Sequence, residues 1–389
     1  MREAVIVSAV RTPVGKARGS LASVPAYQLG ALAIKEAVKR AQINPNQIDE
    51  VVYANLFANE TANLARVALL EAGLPITVPG ITLDRQCPSA LNAIAYAAIL
   101  IQAGYADIVV AGGAESDSRR AYVMEKPKDA YQIMPPQWAA IHLTPVEEDN
   151  VPMGITAENV AIKYGISRQE CDKFALESHR KAAKAWEAGY FDDQIVPVEV
   201  TLGKGKSLMF SKDEIFRADS SLDALAKLRP AFKKDGIVTA GNSSPMSDGA
   251  GALVLMEKNQ AKAMGLEILA KFKDYAAAGV DPKIMGIGPV PATNKLMKRA
   301  KCELKDVDLI ELNEAFAAQS IGCVQELDMN MDKVNVNGGA IALGHPLGGT
   351  GAIITTKLLY EMKRRDVGLG MVSFCAGGGQ GVSVLFERE

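Results

Sequence analysis

Residues 35–55 read KEAVKRAQINPNQIDEVVYAN, and residues 294–316 read NKLMKRAKCELKDVDLIELNEAF. In each stretch an amphipathic helix pattern ends in Lys-Arg-Ala, and a polar turn then leads into a short apolar strand. The same order recurs later, because ADIVVAGGAES at 106–116 and GMVSFCAGGGQG at 370–381 each end an apolar strand in Ala-Gly-Gly. Two units that recur in the same order predict a chain built from two similar α/β halves.

Strands that alternate with helices predict a mostly parallel sheet in each half. The halves are separated by residues 117–246, which contain charged runs, several prolines and their own helix pattern near residues 155–189. A structureless loop of this length is implausible in a compact protein, so this segment is interpreted as an inserted loop domain. The predicted N-terminal half is residues 1–116 with 247–263, and the predicted C-terminal half is residues 264–389.

Residues 87–107, CPSALNAIAYAAILIQAGYAD, have the pattern of a helix without a polar face. Pro88 suits the first turn of a helix, and Gly104 is suited to end it in a left-handed conformation. A helix that is apolar all round is predicted to be buried on all sides, here between two sheets. Cys87 then lies at the N-terminus of that helix, where the helix dipole is expected to lower the pKa of the thiol. The alternative is a small buried cysteine that caps a core helix.

The composition is that of a globular protein, and it excludes several classes of partner. The 45 acidic and 43 basic residues nearly cancel, which predicts neither nucleic acid nor an anionic membrane as a partner. The first apolar run is too short for a signal peptide and no run of about 20 apolar residues occurs, so the sequence predicts a cytoplasmic protein. The five cysteines form no CxxC pair and are expected to be free thiols, and the three histidines are too scattered to predict a metal site.

The C-terminal part of the chain carries three polar motifs. Residues 335–352 read NVNGGAIALGHPLGGTGA, where a glycine-rich loop surrounds His345, a candidate general base. Cys375 ends an apolar strand and enters a glycine-rich turn whose pattern fits an oxyanion hole, a phosphate cradle or a tight corner. Asn313 follows the strand DLIEL, where α/β proteins bind ligands or where a helix is capped. Together with Cys87, these groups indicate acyl transfer through a thioester.

Four motifs make the chain resemble the thiolase family over nearly its whole length. They are GIVTAGNSSPMSDGA at 236–250, NEAFAAQ at 313–319, NGGAIALGHPLG at 337–348 and CAGGGQG at 375–381. The resemblance implies an α/β fold of five layers, αβαβα, with two similar halves, buried helices between mixed sheets, and an inserted loop domain. It also implies an acyltransferase that cleaves 3-ketoacyl-CoA with coenzyme A, giving acetyl-CoA and a shortened acyl-CoA through an acyl-cysteine.

The resemblance assigns a role to each residue that matches a family motif. Cys87 matches the nucleophile, His345 the base that activates it, and Cys375 the second acid and base. Asn313 is similar to the residue that holds a water, which forms one oxyanion hole with His345. The backbone N–H groups of Cys87 and Gly377 correspond to the other oxyanion hole.

Further matches concern the binding of coenzyme A. Arg217 and Ser244 match positions that contact coenzyme A, and Met153, Ala315 and Phe316 match positions that line the channel for its pantetheine arm. The resemblance implies coenzyme A as a substrate, with no cofactor and no metal. It also implies that acyl-CoA and coenzyme A are the small-molecule partners, and that the chain forms a homodimer or homotetramer.

The chain departs from the family pattern at a few positions. A small residue usually follows the nucleophile and a glycine stands two places further, whereas this chain has Pro88 and Ala90. The short-chain biosynthetic members carry a histidine where this chain has Pro152. That position, with Glu311-Leu312 before Asn313, favours the degradative 3-ketoacyl-CoA thiolases of fatty acid oxidation. A serine that contacts coenzyme A in some relatives aligns with Ala224.

Three alternatives remain open from the sequence. The chain fits a biosynthetic acetoacetyl-CoA thiolase, an acetyl-CoA C-acetyltransferase, because the size of the acyl pocket is not fixed by the motifs. A carrier-protein-dependent condensing enzyme is disfavoured, because such enzymes pair the cysteine with two histidines and only His345 is well placed. A catalytically impaired acyl-CoA binding protein is disfavoured by the presence of Cys87, Asn313, His345 and Cys375 together.

Overall fold

The structure is a computed structural model that describes residues 2–57, 60–127, 129, 131, 138–139, 141–203 and 205–388. Its strands are β1 (Ala4–Arg11), β2 (Gly15–Lys16), β3 (Glu50–Ala54), β4 (Gly80–Leu83), β5 (Ile108–Ser116), β6 (Val198–Gly203), β7 (Lys206–Phe210), β8 (Ser247–Glu257), β9 (Ala270–Gly279), β10 (Leu309–Leu312), β11 (Leu369–Ala376) and β12 (Gln380–Glu387). Its α-helices are α1 (Ala26–Arg40), α2 (Leu64–Glu71), α3 (Ser89–Ala103), α4 (Met153–Tyr164), α5 (Arg168–Glu187), α6 (Leu222–Ala226), α7 (Lys258–Ala263), α8 (Pro289–Ala300), α9 (Ala317–Leu327), α10 (Ala340–Leu343) and α11 (Leu347–Arg365). Short 3-10 helices lie at Pro45–Gln47, Asp117–Arg119, Glu147–Asp149, Asp192–Gln194, Pro282–Ile287 and Leu304–Asp306.

The strands repeat one arrangement in the two halves of the chain. The first half contributes strands in the order β4-β3-β5-β8-β1, in which β8 is antiparallel to both of its neighbours. The second half contributes β10-β11-β12-β9, in which β12 is antiparallel to both of its neighbours. The two halves join where β1 pairs with β9, at Val5 with Lys271 and at Ile6 with Ala270. The repeated helix–turn–strand pattern of the sequence therefore corresponds to a repeated topology.

The prediction of mostly parallel sheets is wrong for one strand in each half. β12 is antiparallel to β11 because only a short turn after Ala376 separates them, and parallel neighbours need a long crossover. Gly378 and Gly379 make this turn with φ of 80° and 79°, a region that favours glycine. β8 takes the equivalent place in the first half, where it returns to the sheet after the inserted segment. The sheets are mixed, as the resemblance implies.

Three apolar cores give the order of the layers. α1 and α2 pack on one side of the first-half strands through side chains such as Leu29 and Leu69. α3 and α11 share a second core with strands of both halves, where Ile94 and Leu358 lie among β-strand side chains such as Phe374. A third core joins α8 and α9 to the other side of the second-half strands. The layers follow each other as helix, sheet, helix, sheet and helix, which is the five-layer arrangement.

The two central helices approach each other closely. A Cβ atom added at Gly351 of α11 would lie only 2.2 Å from the backbone nitrogen of Leu91 in α3. Only glycine permits this distance, because real side chains do not pack so near a backbone atom. Ala90 is fully buried beside this contact. The fold therefore accommodates the methyl group of Ala90, because the glycine that permits the close approach of the two helices is Gly351 of α11.

One face of α3 is uncovered. The helix ends at Gly104 with φ of 82°, as predicted, and most of its side chains are buried. Tyr96 and Ile99, however, are 38% and 40% exposed, so the prediction of burial on all sides is wrong. These residues lie on a helix that packs beside β4, which within the described residues pairs only with β3. The fold thus leaves an apolar helix face next to an open sheet edge.

The segment between β5 and β8 has its own helices and a β-hairpin of β6 and β7. Its helices α4 and α5 both pack against α9 of the second half. Ser167 begins α5 with a reciprocal capping box to Glu170, which satisfies two N–H groups at the helix start. Within the described ranges, every helix is too short or too polar to cross a bilayer.

Candidate active site

Cys87 lies in the tight turn between β4 and α3. Ser89 ties this turn together, because its hydroxyl accepts the backbone N–H of Arg85 at 2.6 Å and donates to the carbonyl of Gln86 at 2.5 Å. Gln86 has φ of 54°, a left-handed conformation that residues other than glycine rarely adopt. Pro88 is the N-cap of α3. The turn therefore holds Cys87 at the start of a central helix.

The prediction that the helix start lowers the pKa of Cys87 is wrong. Burial raises the pKa of this thiol to about 11, although the backbone N–H groups of Gly377 and of Cys87 itself bond to the sulfur and lower it. The negative charge of Asp84 adds to the increase. Removal of the sulfur from water therefore outweighs the hydrogen bonds from the two N–H groups. The resting group is a thiol, and it needs a base to become a nucleophile.

Cys375 is fully buried in β11 and lies beside Cys87. Burial raises the pKa of the Cys375 thiol well above its ordinary value, and negative charge on Cys87 or Cys323 raises it further. Thiols influence each other's charge in this way only when they are near neighbours. The structure therefore brings together one cysteine from each half of the chain, with Gly377 between them in the turn that follows β11.

His345 and Asn313 lie at the same end of the second-half strands as Cys375. The Nδ2 atom of Asn313 is 3.4 Å from Nε2 of His345. The backbone N–H of Asn313 donates to the carbonyl of Ser373 at 2.9 Å, two residues before Cys375. The ring centroids of His345 and Phe374 are 6.4 Å apart. These contacts place the imidazole and the amide beside the strand end that carries the second thiol.

The imidazole of His345 is uncharged at neutral pH. Burial lowers its pKa to about 4. The backbone N–H of His345 donates to Oγ of Ser247 at 3.2 Å, which fixes the histidine loop to the start of β8. A neutral imidazole has one nitrogen with a free lone pair. His345 is therefore in the protonation state that a general base requires.

A groove of about 540 Å³ is lined mainly by the inserted segment, with Lys16 from the first half and Ile341 from the second half. Arg217 lines it, and the backbone N–H of Arg217 donates to Nδ1 of His179 at 3.2 Å. Ser244 lies next to lining residues, but both its N–H and its hydroxyl are bonded to the carbonyl of Ala315 at 3.0 Å. Its hydroxyl thus joins the groove to the second half. The lining also includes the charged residues Lys16, Glu214 and Asp219 and the uncharged residues Phe216, Ser220, Ala224, Ser243 and Pro245.

Three further predicted residues pack around Cys375. Ala315 and Phe316 are buried in one cluster with this cysteine, and Met153 at the start of α4 packs against the same cluster. The Phe316 ring also makes an edge contact with Phe232, with centroids 6.1 Å apart. An apolar wall therefore surrounds the second thiol and contains the residues predicted to line a channel.

Sequence reasoning missed two groups beside the site. Leu143 of the inserted segment covers the turn after β11, since a Cβ at Gly378 would lie 3.0 Å from its carbonyl oxygen. Glu115 at the end of β5 accepts the N–H groups of Leu56 and Gly348, each at 3.1 Å, and burial raises its pKa to about 7. A carboxylate within the apolar strand pattern was a usable signal for Glu115, because buried acids need donors. Leu143 had no such signal.

A base-form histidine and two neighbouring thiols form an arrangement that suits acyl transfer through a cysteine. The chain matches the model of the thiolase N-terminal domain over residues 4–259 and that of the thiolase C-terminal domain over residues 266–388. It therefore belongs to the thiolase family and is an acyltransferase of that family.

Individual relatives match along the full length. The acetyl-CoA acetyltransferase of Escherichia coli (strain K12) is 49% identical over 393 residues, covering 100% of both chains. The 3-ketoacyl-CoA thiolase of Bacillus subtilis (strain 168) is 49% identical over 398 residues, with the same coverage. The crystal structure of human mitochondrial 3-ketoacyl-CoA thiolase in complex with CoA is 39% identical with a TM-score of 0.94, covering 100% of this chain and 98% of that chain.

Burial of His179 beside the groove predicts a loss of stability in acid. Burial and then the charge of Arg217 lower the pKa of His179 from 6.5 to about 4. The unfolded chain therefore binds more protons between these values, and the free energy of unfolding falls as the pH falls through them. Between pH 7 and pH 5 this histidine accounts for a loss of about 2 kcal/mol. His179→Asn, which keeps an acceptor for Arg217, is expected to lose about 2 kcal/mol less than the unchanged protein.

The measurement is urea unfolding at both pH values and at one protein concentration. His142→Asn is the matched control, because His142 is exposed and its removal is expected to leave the pH effect unchanged. Equal losses for His179→Asn and the unchanged protein would contradict the assignment.

Proposed function

We propose that this chain catalyses CoA-dependent thiolytic cleavage of 3-ketoacyl-CoA through an acyl group on Cys87. The observation that carries the proposal is the pairing of the Cys87 and Cys375 thiols, with the Gly377 N–H bonded to the Cys87 sulfur. The turn after Cys375 lies against the turn that carries Cys87, since a Cβ at Gly377 would lie 3.5 Å from Oε1 of Gln86. A lone cysteine would serve packing, but two neighbouring thiols with a neutral histidine suit proton transfer and covalent catalysis.

In the first half-reaction, His345 accepts the proton of the Cys87 thiol, and the sulfur attacks the 3-keto carbon. The N–H groups of Cys87 and Gly377 donate to the oxygen that becomes negative. The bond between the α-carbon and the 3-keto carbon then breaks, which leaves the acyl group on Cys87. The departing enolate of acetyl-CoA is stabilised by protonated His345, with a water held by Asn313. Cys375 donates its proton to the α-carbon.

In the second half-reaction, the Cys375 thiolate accepts the proton of an incoming coenzyme A thiol. The new CoA thiolate attacks the acyl group, and the Cys87 thiolate leaves and regains its proton from His345. The Cys87 proton passes to His345 and back, and the proton that Cys375 gives to the α-carbon is replaced by the proton of coenzyme A. All three groups thus regain their starting protonation states, and the net products are acetyl-CoA and an acyl-CoA two carbons shorter. The high pKa of Cys375 supports its role as acid, because a weak acid stays protonated until a strongly basic carbon forms.

The amide of Asn313 supports the proposed water. Its Oδ1 atom is buried and lacks a hydrogen-bond partner within the described residues, and its Nδ2 faces His345. A buried amide oxygen without a donor is costly, so a bound water or substrate group stabilises this site. Asn313 and His345 then act together on the enolate oxygen.

Coenzyme A is proposed to bind in the groove beside Arg217, with its pantetheine arm passing Met153, Ala315 and Phe316. The positive side chain of Arg217 at the groove suits the phosphate groups of coenzyme A. Phe316, which packs in one apolar cluster with Cys375, pairs through its backbone with Ser243, a residue that lines the groove. Coenzyme A enters as a substrate, and the proposal requires no further cofactor.

The degradative direction is proposed from the inserted segment. Pro152, the N-cap of α4, stands next to Met153, and Met153 packs against the cluster around Cys375. Biosynthetic short-chain relatives place a histidine at this position, whereas the proline adds no polar group. The proposed role is thus the final step in shortening a fatty acyl chain. The biosynthetic alternative is favoured by relatives named acetyl-CoA acetyltransferase, such as that of Escherichia coli.

Cysteine variants test the covalent step. After brief exposure to acetyl-CoA, intact-mass spectrometry is expected to find one acetyl adduct, mapped by peptide to Cys87. Cys87→Ser is expected to lose the adduct and turnover by at least about 1,000-fold, because the nucleophile is gone. Cys375→Ser is expected to keep the adduct but lose turnover. Cys302→Ser, which changes a half-buried thiol in a different cluster, is the control and should behave normally. Normal turnover by Cys87→Ser would refute the proposal.

Substrate length separates the degradative and biosynthetic readings. The proposed enzyme is expected to cleave a long-chain 3-ketoacyl-CoA with a kcat/KM at least as high as that for acetoacetyl-CoA. The measurement is the loss of each 3-ketoacyl-CoA in the presence of free coenzyme A. Both reactions use the same thiols, so only the accepted chain length distinguishes them. Cleavage of acetoacetyl-CoA without cleavage of the long-chain substrate would establish the biosynthetic alternative. Failure of free coenzyme A to accept the acyl group would exclude both.

A homo-oligomer is also proposed, supported by the open edge of β4 and the apolar face of α3. Ile81 of β4 and Ile99 of α3 are 45% and 40% exposed, and an open strand edge is a template for pairing with another chain. Charge at this face is expected to weaken association. In sedimentation velocity, Ile99→Asp is expected to shift a dimer or tetramer toward monomer. Ile162→Asp, at a 68% exposed position on α4, is the control. A monomeric unchanged protein would contradict the proposal.

A cytoplasmic location is proposed as well. The five cysteines are all free, and a reducing compartment keeps thiols in that state. The proposed reaction needs two free thiols, at Cys87 and Cys375. Thiol counting on protein from a cell fraction prepared under alkylating conditions tests this placement.

A further inference from the structure

The side of the His345 ring that faces away from Asn313 has a defined partner. Its Nδ1 atom lies 2.7 Å from Oγ1 of Thr350 in the first turn of α11. The Thr350 hydroxyl also lies 2.8 Å from the carbonyl oxygen of Pro346, four residues earlier. Both Thr350 and His345 are buried, so water does not compete readily for these contacts.

Counting protons decides which way each bond runs. A carbonyl oxygen only accepts, so the single proton of the Thr350 hydroxyl is donated to Pro346. The hydroxyl oxygen must then accept from His345, which places the proton of the neutral imidazole on Nδ1. Nε2 is left with its lone pair, and Nδ2 of Asn313 faces it as a donor at 3.4 Å. In the opposite arrangement, an N–H on Nε2 would face this second donor.

We propose that Thr350 is a positioning residue that holds His345 in the tautomer with a free Nε2 lone pair. This inference rests on the proposed function, in which His345 accepts the proton of Cys87. Thr350 touches neither substrate nor thiol in that scheme. It sets which nitrogen is basic, and it retains the Nδ1–H bond after Nε2 has been protonated.

The experiment compares Thr350→Val, which keeps the shape and removes the hydroxyl, with Thr350→Ser, which keeps the hydroxyl. The chain has only three histidines, so nitrogen NMR of protein labelled with ¹⁵N-histidine can follow each ring. His345→Asn assigns the signal of interest. We expect the unchanged protein and Thr350→Ser to show Nδ1 protonated and Nε2 bare. In Thr350→Val, the proton is expected to move wholly or partly to Nε2.

Kinetics provide the second readout. Thr350→Val is expected to lower kcat and the rate of Cys87 acetylation by about 10- to 100-fold with little change in KM, by analogy with the loss of groups that orient metal-bound histidines. Thr350→Ser is expected to stay within about threefold of the unchanged protein, which separates hydroxyl loss from a packing defect. Circular dichroism and the unfolding midpoint check that each variant is folded.

Two results would overturn the inference. One is a proton on Nε2 in the unchanged protein, a measurement that remains decisive even if Thr350→Val does not fold. The other is a folded Thr350→Val with unchanged tautomer and acetylation rate. The tautomer is measured without substrate, so it is independent of the reaction. If Nδ1 is protonated as expected but acetyl-CoA never labels Cys87, the proposed function fails while the tautomer assignment stands.

Discussion

The contact between the two central helices is the constraint on which the rest of the structure depends. Gly351 of α11 brings that helix against the backbone of α3, and this contact requires that both helices lie in one layer between the two halves. Their starts carry equivalent residues: Cys87 is followed by Pro88, the N-cap of α3, and His345 is followed by Pro346, the N-cap of α11. The thiol and the imidazole therefore hold matching places in the two halves.

Burial has one electrostatic consequence for all three groups of the site. It raises the pKa of both thiols and lowers the pKa of His345, so each group is uncharged at rest. A low-dielectric interior penalises an isolated ion, but it also strengthens hydrogen bonds to charge that develops during reaction. The N–H groups of Cys87 and Gly377 are fixed before reaction, so they need no reorganisation when charge appears. In the proposed mechanism, the nucleophilicity of Cys87 therefore depends on proton transfer to His345 rather than on a preformed thiolate.

Sequence periodicity predicted part of the architecture, and the resemblance to the thiolase family supplied the five layers and the mixed sheets. The recurring helix–turn–strand units predicted two halves, and the apolar run after Cys87 predicted a central helix that ends at Gly104, because both signals are local. The direction of β8 and the exposure of Ile99 were not predictable in this way. They depend on where the chain returns after the insertion, and on which face of α3 has no covering element.

The site was predictable as a set of residues but not as a balance of energies. His345 and Cys375 stand in glycine-rich motifs, Cys87 stands at the start of an apolar helix pattern, and Asn313 follows an apolar strand. The sequence predicted a lowered pKa for Cys87, because a helix start is visible in sequence. The pKa is raised instead, because burial of the thiol depends on packing that sequence does not show. The role of Thr350 was not predicted for a similar reason, since its hydroxyl acts only through its contact with the His345 ring.

The same tripeptide, Ala-Gly-Gly, ends differently in the two halves, and this difference creates the site. In the first half, Gly113 remains in β5 and pairs with β8, because the strand continues to Ser116 before the inserted segment. A Cβ there would lie 2.0 Å from the carbonyl of Gly348, so this end is filled by α11. In the second half the strand stops at Ala376 and the chain turns directly into β12.

The early turn releases the Gly377 N–H from the sheet, and that N–H bonds to the Cys87 sulfur. A strand pair of full length at this point would use its N–H groups in the ladder and leave none for a ligand. In the first half, the end of β5 is therefore covered by α11. In the second half, the end of β11 leaves a backbone N–H available to the Cys87 sulfur. The two halves of this chain therefore differ at the strand end that carries Cys375 and Gly377 in one of them.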